Sequence, residues 1–168
     1  MSDPIRHALA SDAAAICGIY NYYVENTTIS FETEPVGVET MQARIAEVQS
    51  QFPWLVYEED GVVLGYAYAS KWKPRAAYRH SVECSVYLHQ DAAGRGAGKR
   101  LYAHLFDALK PLGVHLVLGG ITQPNPASVA LHERMGFVKC AHFSQVGRKF
   151  DRWLDVGYWQ LNLEEPLQ

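Results

Sequence analysis

The chain has 168 residues, enough for one domain with a substantial hydrophobic core and cramped for two. A net charge of -3 argues against a general nucleic-acid-binding protein, because phosphate contacts need a basic surface. No apolar run approaches the roughly 20 residues that span a bilayer, and the first residues lack the apolar core of a signal peptide. Three cysteines without a CxxC pair favour a reducing compartment. We therefore expect a single domain over residues 1–168 that is cytoplasmic and binds neither nucleic acid nor membrane.

The first half of the chain predicts a short strand, two helices and a β-hairpin. Ser11 or Asp12 can cap the first helix, in which Ala15, Ile16, Ile19, Tyr20 and Tyr23 recur at helical spacing. The stretch at 59–61, Glu-Asp-Gly, is typical of a hairpin turn. The predicted elements are a strand at 5–9, a helix after residue 12, an extended segment at 26–35, a helix at 38–48, and strands at 54–57 and 62–69.

The second half continues the alternation of strands and helices. A basic loop at 71–79 leads to a strand in which Val82, Cys84, Val86 and Leu88 face one way and Glu83, Ser85 and Tyr87 face the other. The predicted elements are this strand at 81–88, a helix at 96–112 with a leucine stripe at 101, 105, 109 and 112, a strand at 115–121, a helix at 126–135, and strands at 137–146 and 153–161 joined by a turn at Arg148 and Lys149. Such a mixture predicts an α/β fold with a mixed sheet.

Three glycines in five residues, Gly94, Gly96 and Gly98, join the strand at 81–88 to an amphipathic helix. The first amides of a helix lack intrahelical partners and carry partial positive charge, and the absence of side chains lets them approach a phosphate. Arg95 and Lys99 add positive charge. The pattern indicates a pyrophosphate-binding turn, although a tight turn before a helix has the same composition. It lacks the GxxxxGK of P-loop NTPases and the full GxGxxG of Rossmann sites.

The stretch from Ala93 to Gly98 resembles motif A of the GNAT superfamily of acetyltransferases, Q/R-x-x-G-x-G/A, and departs from it at Ala93. The segment from Asn125 to Phe137 resembles the downstream family signature NxxSxxL-Y/H-ExxGF. Three further blocks, at 20–35, 78–87 and 146–161, resemble the phosphinothricin and methionine-sulfoximine N-acetyltransferases. Together the matching segments span nearly the whole chain. The resemblance implies the GNAT fold, a single central mixed, mostly antiparallel sheet of about six to seven strands flanked by about four helices.

The resemblance implies acetyl-CoA as co-substrate. Its pantetheine arm would lie along the edge of the strand at 81–88, where a bulge would splay this strand from the next one. Only backbone groups need bind there, and the Val86 and Leu88 side chains are expected to pack in the core. Asn125 could contact the cofactor or cap the short helix. The implied cofactor-binding residues are Val86, Tyr87, Leu88, Gly94, Arg95, Gly96, Ala97, Gly98, Lys99, Asn125 and Ser128. No HExxH or other metal spacing is present, so no metal is expected.

Glu83 is the candidate general base, since it lies on the strand that leads into the cofactor site and amine acetylation needs a proton acceptor. A carboxylate exposed on an alternating strand is the alternative. His132 occupies the position where many GNAT enzymes carry a tyrosine that protonates the departing thiolate; a packed or cofactor-contacting histidine is equally compatible. The family mechanism is direct attack of the amine on the thioester. Cys84 is expected in the core and not as an acyl carrier.

The resemblance implies an acceptor with an α-amine on a small amino acid or analogue, of the phosphinothricin, methionine sulfoximine or methionine sulfone type. Phe31 resembles the aromatic residue of the family's substrate pocket. Lys73, Arg75 and Lys149 offer cations for the acceptor carboxylate, although a charged loop that is only solvated has the same composition. The expected substrate-binding residues are Phe31, Lys73, Pro74, Arg75, Glu83 and Lys149. A protein N-terminus or a polyamine is the alternative acceptor, and a non-catalytic acyl-CoA sensor is a different class altogether. The resemblance also implies a homodimer, with the aromatic C-terminal strand (Trp153, Tyr158, Trp159) available to pack across a subunit boundary.

Overall fold

A computed structural model of the chain describes residues 2–163, so both ends of the expected 1–168 domain lie outside the described residues. Four α-helices and one seven-stranded sheet confirm the predicted α/β architecture in this part of the chain. The helices are α1 (Ala13–Asn26), α2 (Val38–Gln49), α3 (Ala97–Leu109) and α4 (Pro126–Arg134). The strands are β1 (Ile5–His7), β2 (Trp54–Glu59), β3 (Val62–Lys71), β4 (Ser81–Leu88), β5 (Leu116–Gln123), β6 (Val138–Lys149) and β7 (Arg152–Asn162). None of the helices in residues 2–163 is long and apolar enough to cross a membrane.

The sheet has the strand order β1-β2-β3-β4-β5-β7-β6. Every neighbouring pair is antiparallel except β4 and β5, which are parallel because α3 carries the chain from one to the other. The sheet is therefore mixed and mostly antiparallel, as the resemblance predicts.

Two hydrophobic clusters sandwich the sheet. On one face, α3 buries its leucine stripe against side chains of β2 to β4, among them Val82 and Cys84. On the other face, α1 and α2 pack against Trp54, Val56 and Tyr66. The alternation along β4 is thereby confirmed, since Tyr87 packs on the α1 side with Tyr66.

The only parallel ladder in residues 2–163 is short. β4 and β5 pair only from Ser81 with Leu116 to Glu83 with Leu118, and beyond that point the two strands separate. The predicted bulge is not the cause, because the register between β3 and β4 runs without a shift from Val82 to Leu88. The last five residues of β4 therefore have an edge on the β5 side without a strand partner.

The turn between β6 and β7 was predicted at Arg148 and Lys149, and that prediction is wrong. Both residues belong to β6, and the turn is formed by Phe150 and Asp151, which have φ angles of 50° and 58°. Two consecutive positive φ angles match the twist of a two-residue hairpin turn. Lys149 is consequently a buried strand residue, 4% exposed, and not an exposed turn residue.

Other expectations fail where local pattern and tertiary packing disagree. α3 ends at Leu109 and continues as a 3-10 turn, so Leu112 leaves the stripe and is exposed. Asp12 precedes α1 but its carboxylate pairs with Arg6 at 2.8 Å without capping the helix. Trp159 is 2% exposed in the α3-side core and is therefore not available to a subunit boundary, whereas Trp153 is exposed.

The contact between α3 and the sheet should dominate stability. Leu101→Ala is expected to lower the free energy of unfolding by about 2–5 kcal/mol, because the fully buried side chain leaves a cavity. Leu112→Ala is the matched control, since its side chain is largely exposed, and should cost less than about 0.5 kcal/mol. Urea unfolding followed by circular dichroism measures both. Equal losses in the two variants would contradict the assigned packing of α3.

Candidate active site

The glycine-rich turn adopts a conformation that favours glycine at two positions. Gly94 and Gly96 have φ angles of 77° and 75°, and Gly96 is the residue that immediately precedes α3. The first backbone bond of the helix runs from the Arg100 amide to the Gly96 carbonyl, which leaves the amides of residues 97–99 without helical acceptors. These amides, at the positive end of the α3 dipole, form a site suited to a phosphate group.

A cleft of about 410 Å³ extends from this turn to the separated edge of β4. It brings together the expected cofactor residues Val86, Tyr87, Leu88, Gly94, Gly96, Ala97, Gly98, Lys99, Asn125 and Ser128. Its remaining lining residues are Tyr23, Ile29, Ala93, Ala127, Leu131 and Arg134. We call this cavity the cofactor cleft. Most of its wall is apolar or backbone, and charge is provided by Lys99 and Arg134.

Arg95 does not line the cofactor cleft. Its guanidinium pairs with Glu59 at 2.9 Å and donates to the Asp91 carbonyl at 2.7 Å. The expectation that Arg95 adds positive charge to the phosphate site is therefore not supported by the position of its side chain, although its backbone belongs to the turn.

Asn125 lines the cleft and also caps α4. Its Oδ1 accepts a hydrogen bond from the Ser128 amide at 3.2 Å. This contact fixes the amide side chain at the start of α4, between the helix and the cleft.

His132 lies behind the cleft wall and is 4% exposed. Its Nδ1 is 2.7 Å from the Ser128 carbonyl oxygen, which can only accept, so Nδ1 carries the proton. Nε2 is then the acceptor, and the Tyr102 hydroxyl lies 3.3 Å from it. Burial lowers the pKa of His132, and the hydrogen bond to Ser128 opposes this effect. Both ring nitrogens of this neutral histidine thus have protein partners.

Glu83 is the last β4 residue that pairs with β5, so its carboxylate lies where the two strands begin to separate. The residue is partly buried, and burial raises the pKa of Glu83 above its usual range. A hydrogen bond from the Tyr158 hydroxyl, 3.4 Å from Oε1, acts in the opposite direction. Glu83 does not line the cofactor cleft itself but precedes its first β4 residue, Val86, by three positions. A raised pKa suits a carboxylate to accept a proton near neutral pH.

The loop between α1 and α2 reaches the same face of the sheet as Glu83. Tyr68 of β3 interacts electrostatically with both Glu83 and Glu32 of this loop. Glu32 is held by Arg44 at 2.6 Å and by the Tyr20 hydroxyl. The loop is therefore fixed to α1 and α2 by a charged network.

Phe31 and Lys149 meet where this loop contacts β6. The Phe31 ring, 40% exposed, occupies the space that a side chain at Gly147 would fill. Lys149 Nζ donates to the Ser30 carbonyl oxygen at 2.7 Å. Burial lowers the pKa of Lys149, while Glu32 raises it. The Lys149 ammonium group therefore holds the loop that carries Phe31.

Lys73, Pro74 and Arg75 lie in the exposed loop between β3 and β4 and do not line the cofactor cleft. Aromatic contacts connect this loop with Glu83. Lys73 Nζ is 5.2 Å from the centre of the Trp72 ring, and Trp72 contacts Tyr158 edge-to-face at 5.4 Å. These contacts connect Lys73 with Tyr158 through the Trp72 ring, and they do not include Pro74 or Arg75.

The environment of Cys84 and the arrangement of potential metal ligands bear on two other kinds of chemistry. Cys84 is buried on the α3 face, and burial raises the pKa of its thiol to about 12, which disfavours the thiolate that an acyl carrier needs. Among residues 2–163, no group of three or more His, Cys, Asp or Glu side chains is arranged to hold a metal ion.

Sequence reasoning did not assign six of the residues that line the cofactor cleft, nor Tyr158, to the site. Tyr23, Ile29 and Arg134 line the cofactor cleft, and the Tyr23 hydroxyl donates to the Leu88 carbonyl. Tyr158 contacts Glu83 from a strand 75 positions later in the chain. The apolar stripe of α1 indicates which way the Tyr23 side chain points, and the alternation along β7 does the same for Tyr158. Neither pattern indicates that their partners are Leu88 and Glu83.

Comparisons with known proteins agree with this geometry. Residues 5–157 match the family model described as an acetyltransferase (GNAT) domain. The chain is 41% identical over 162 residues to a phosphinothricin N-acetyltransferase of Streptomyces viridochromogenes, across 96% of this chain and 88% of that one. It is 39% identical over 165 residues to an L-methionine sulfoximine/L-methionine sulfone acetyltransferase of Salmonella typhimurium, across 96% and 95% of the two chains.

Among solved structures, a GNAT phosphinothricin acetyltransferase from Sinorhizobium meliloti in complex with acetyl-CoA aligns with a TM-score of 0.93. It is 35% identical, and the alignment covers 99% of this chain and 91% of that one. The chain therefore belongs to the GNAT family of acetyltransferases, in the branch that includes phosphinothricin and methionine sulfoximine N-acetyltransferases.

The glycine-rich turn offers a direct test of the cofactor cleft. Gly96→Ala should weaken acetyl-CoA binding roughly fivefold to thirtyfold, because alanine costs about 1–2 kcal/mol in the left-handed conformation. Gly37→Ala is the control, since Gly37 precedes α2 with a φ of -76° and has nothing within 4 Å of an added Cβ. Isothermal titration with acetyl-CoA measures both affinities. If the two variants bind equally well, the turn does not hold the pyrophosphate.

Proposed function

We propose that this protein transfers acetyl from acetyl-CoA to the α-amine of a small amino acid or analogue, with Glu83 as general base. The observation that carries this proposal is the position of Glu83: a partly buried carboxylate at the point where β4 leaves β5, three residues before Val86 of the cofactor cleft. The names of the relatives support an acceptor of the phosphinothricin, methionine sulfoximine or methionine sulfone type.

The residues of the cofactor cleft fit acetyl-CoA. The amides of residues 97–99 and Lys99 would hold the pyrophosphate, and the backbone of residues 86–88 would pair with the amides of the pantetheine arm. A Cβ at Gly98 would lie 3.3 Å from Leu131, so glycine there lets α3 and α4 approach each other beside the cleft. The bound co-substrate supplies an acetyl group activated as a thioester.

Glu83 would make the acceptor amine nucleophilic. An α-amine is largely protonated near neutral pH, so a base must take its proton before or during attack. Burial raises the pKa of Glu83 toward the pH at which the enzyme would work, which improves it as a proton acceptor. The proton passes to Glu83 directly or through one water, and the neutral amine attacks the thioester carbonyl. The C–S bond then breaks, and CoA leaves as its thiolate, which takes a proton from solvent.

His132 was the second catalytic candidate, and its surroundings support a packing role. Both ring nitrogens are engaged, with Ser128 and Tyr102, and the ring also contacts Phe137 edge-to-face at 5.0 Å. A Cβ at Gly119 would lie 2.7 Å from Nε2, so the ring fits against the bare backbone of β5. We assign His132 to fixing α4, and with it Asn125 and Ser128, against the sheet.

On the acceptor side, Phe31 would form an apolar wall. Lys73 and Arg75 would offer charge to the acceptor carboxylate, with Pro74 shaping the loop between them. Lys149 would act through the Ser30 carbonyl, by keeping the Phe31 loop in place, and not through the acceptor.

The alternative functions make different demands on the same site. A polyamine acceptor favours several acidic groups, but Glu32 is neutralised by Arg44 at 2.6 Å. A protein N-terminus would need an open groove beyond Glu83. A non-catalytic acyl-CoA sensor would have no use for a base with a raised pKa. These contrasts support the small amino-acid acceptor.

Homodimerisation is also part of the proposal, as are a single acetyltransferase domain and a cytoplasmic location. β6 is the edge strand of the sheet, and the β6–β7 hairpin exposes Val138, Val146, Phe150 and Trp153. An exposed apolar edge of this length favours a protein partner.

Glu83→Gln should lower turnover by about 100-fold to 10,000-fold, because the amide cannot take the proton, while acetyl-CoA affinity changes little. In the wild type, activity should fall as the pH is lowered through the raised pKa of Glu83, since protonation removes the base. Glu25→Gln, an exposed carboxylate on α1, is the matched control and should keep wild-type turnover. Near-wild-type turnover of Glu83→Gln at every pH would remove Glu83 from the mechanism.

The acceptor class is tested by following thiol release from acetyl-CoA with a panel of amines. Methionine sulfoximine, methionine sulfone and phosphinothricin should give higher kcat/KM than short peptides, polyamines or ordinary amino acids. Faster turnover with a peptide or a polyamine would favour the alternative acceptors. Acetyl-CoA binding without thiol release from any amine would indicate the sensor.

A further inference from the structure

Tyr158 is the one side chain within residues 2–163 that hydrogen-bonds to Glu83. Its hydroxyl donates to Glu83 Oε1 across 3.4 Å from the middle of β7. No Lys, Arg or His in the same part of the chain forms a salt bridge with this carboxylate. The polar side-chain environment of Glu83 therefore depends on a neutral phenol.

Gly120 makes the contact possible. It is the cross-strand partner of Tyr158 in the β5–β7 ladder. A Cβ at Gly120 would lie 3.1 Å from Glu83 Oε1 and 3.1 Å from Tyr158 Cζ. The carboxylate and the phenol thus share the space above a glycine, and any side chain there would push on both.

The Tyr158 ring is held from two sides. Trp72 contacts it edge-to-face at 5.4 Å, and Phe143 does so at 5.9 Å. Both distances lie in the range that favours aromatic pairs. The hydroxyl is therefore directed at Oε1 by packing, before any ligand binds.

We propose that Tyr158 is a positioning residue for Glu83: its hydroxyl holds Oε1 and leaves Oε2 to face the acceptor amine. This inference rests on the proposed function of Glu83. As the N–C bond forms at the thioester carbonyl, Oε2 takes the amine proton, directly or through one water. The C–S bond then breaks, and CoA leaves as a thiolate that takes a proton from solvent. Tyr158 keeps its own proton throughout.

The hydrogen bond has a consequence for the pH dependence of activity. The titratable groups that face Glu83 are Tyr158 from β7 and Tyr68 from β3, and the Glu32–Arg44 pair of the helical layer reaches Tyr68. Both phenols are neutral at working pH. A hydrogen bond to the carboxylate favours its charged form, so removing the Tyr158 hydroxyl raises the pKa of Glu83 further. The base is then protonated, and inactive, up to a higher pH.

Tyr158→Phe tests the inference with one α-amino-acid acceptor from about pH 6 to pH 9.5. The amine of the free acceptor titrates identically with every variant, so a change in the acid limb of kcat/KM belongs to the enzyme. The acid limb should move up by about 0.5–1 pH unit, which lowers the rate at its acidic end roughly threefold to tenfold. The plateau rate should stay within about twofold, and acetyl-CoA affinity should not change.

Tyr22→Phe is the matched control, because Tyr22 is exposed on α1 and its profile should superimpose on the wild type. A Tyr158→Phe profile that also superimposes on the wild type overturns the inference. If thermal melting shows that Tyr158→Phe does not fold, Tyr158→Met decides, since it also removes the hydroxyl and leaves Glu83 and Gly120 unchanged. An acid limb moved to higher pH supports the inference, and a profile that superimposes on the wild type overturns it.

Glu83→Gln, measured alongside, separates this inference from the proposed function. Full activity of Glu83→Gln would reject the base itself. An inactive Glu83→Gln with an unmoved Tyr158→Phe profile would reject only the positioning by Tyr158.

Discussion

The separation of β4 from β5 beyond Glu83 and Leu118 is the constraint on which the site depends. Backbone amides and carbonyls inside a fold need partners, so an open strand edge is costly unless a polar chain lies along it. In the proposed complex, the two amides of the pantetheine arm would meet this need. The glycine-rich turn ends the same opening with free amides, and Gly119 and Gly120 on the facing strand leave room for the His132 ring and for the Glu83 and Tyr158 side chains.

Periodicity predicted most of the fold because each layer buries one face. The alternation along β4 and the leucine stripe of α3 are both sequence patterns that the packing uses directly. The last turn was placed two residues early, since the basic pair Arg148 and Lys149 looked like exposed turn residues. Neither Phe150 nor Asp151 is a glycine, so the sequence does not mark their positive φ angles. The pairing of β6 with β7 on either side of the turn imposes these angles.

Sequence motifs predicted which backbone segments line the cleft better than they predicted where charged side chains point. Ten of the eleven expected cofactor residues line the cofactor cleft, because their positions follow from local chain geometry. Arg95 failed because its partner, Glu59, is 36 positions away, and the partner of Lys149 is 119 positions away. Sequence spacing contains no information about such pairs. They are decided by which loops the completed sheet brings together.

The position of β7 sets an order of assembly. Within residues 2–163, β7 is the last strand in sequence, yet it lies between β5 and β6, so β6 joins the sheet only through β7. Lys149 and Tyr158, which we propose for the acceptor side, come from these two strands, whereas the glycine-rich turn lies in the middle of the chain. Pairings between distant segments form late during folding. During folding the glycine-rich turn, the proposed phosphate site, can therefore form before β7 brings Lys149 and Tyr158 to the proposed acceptor side.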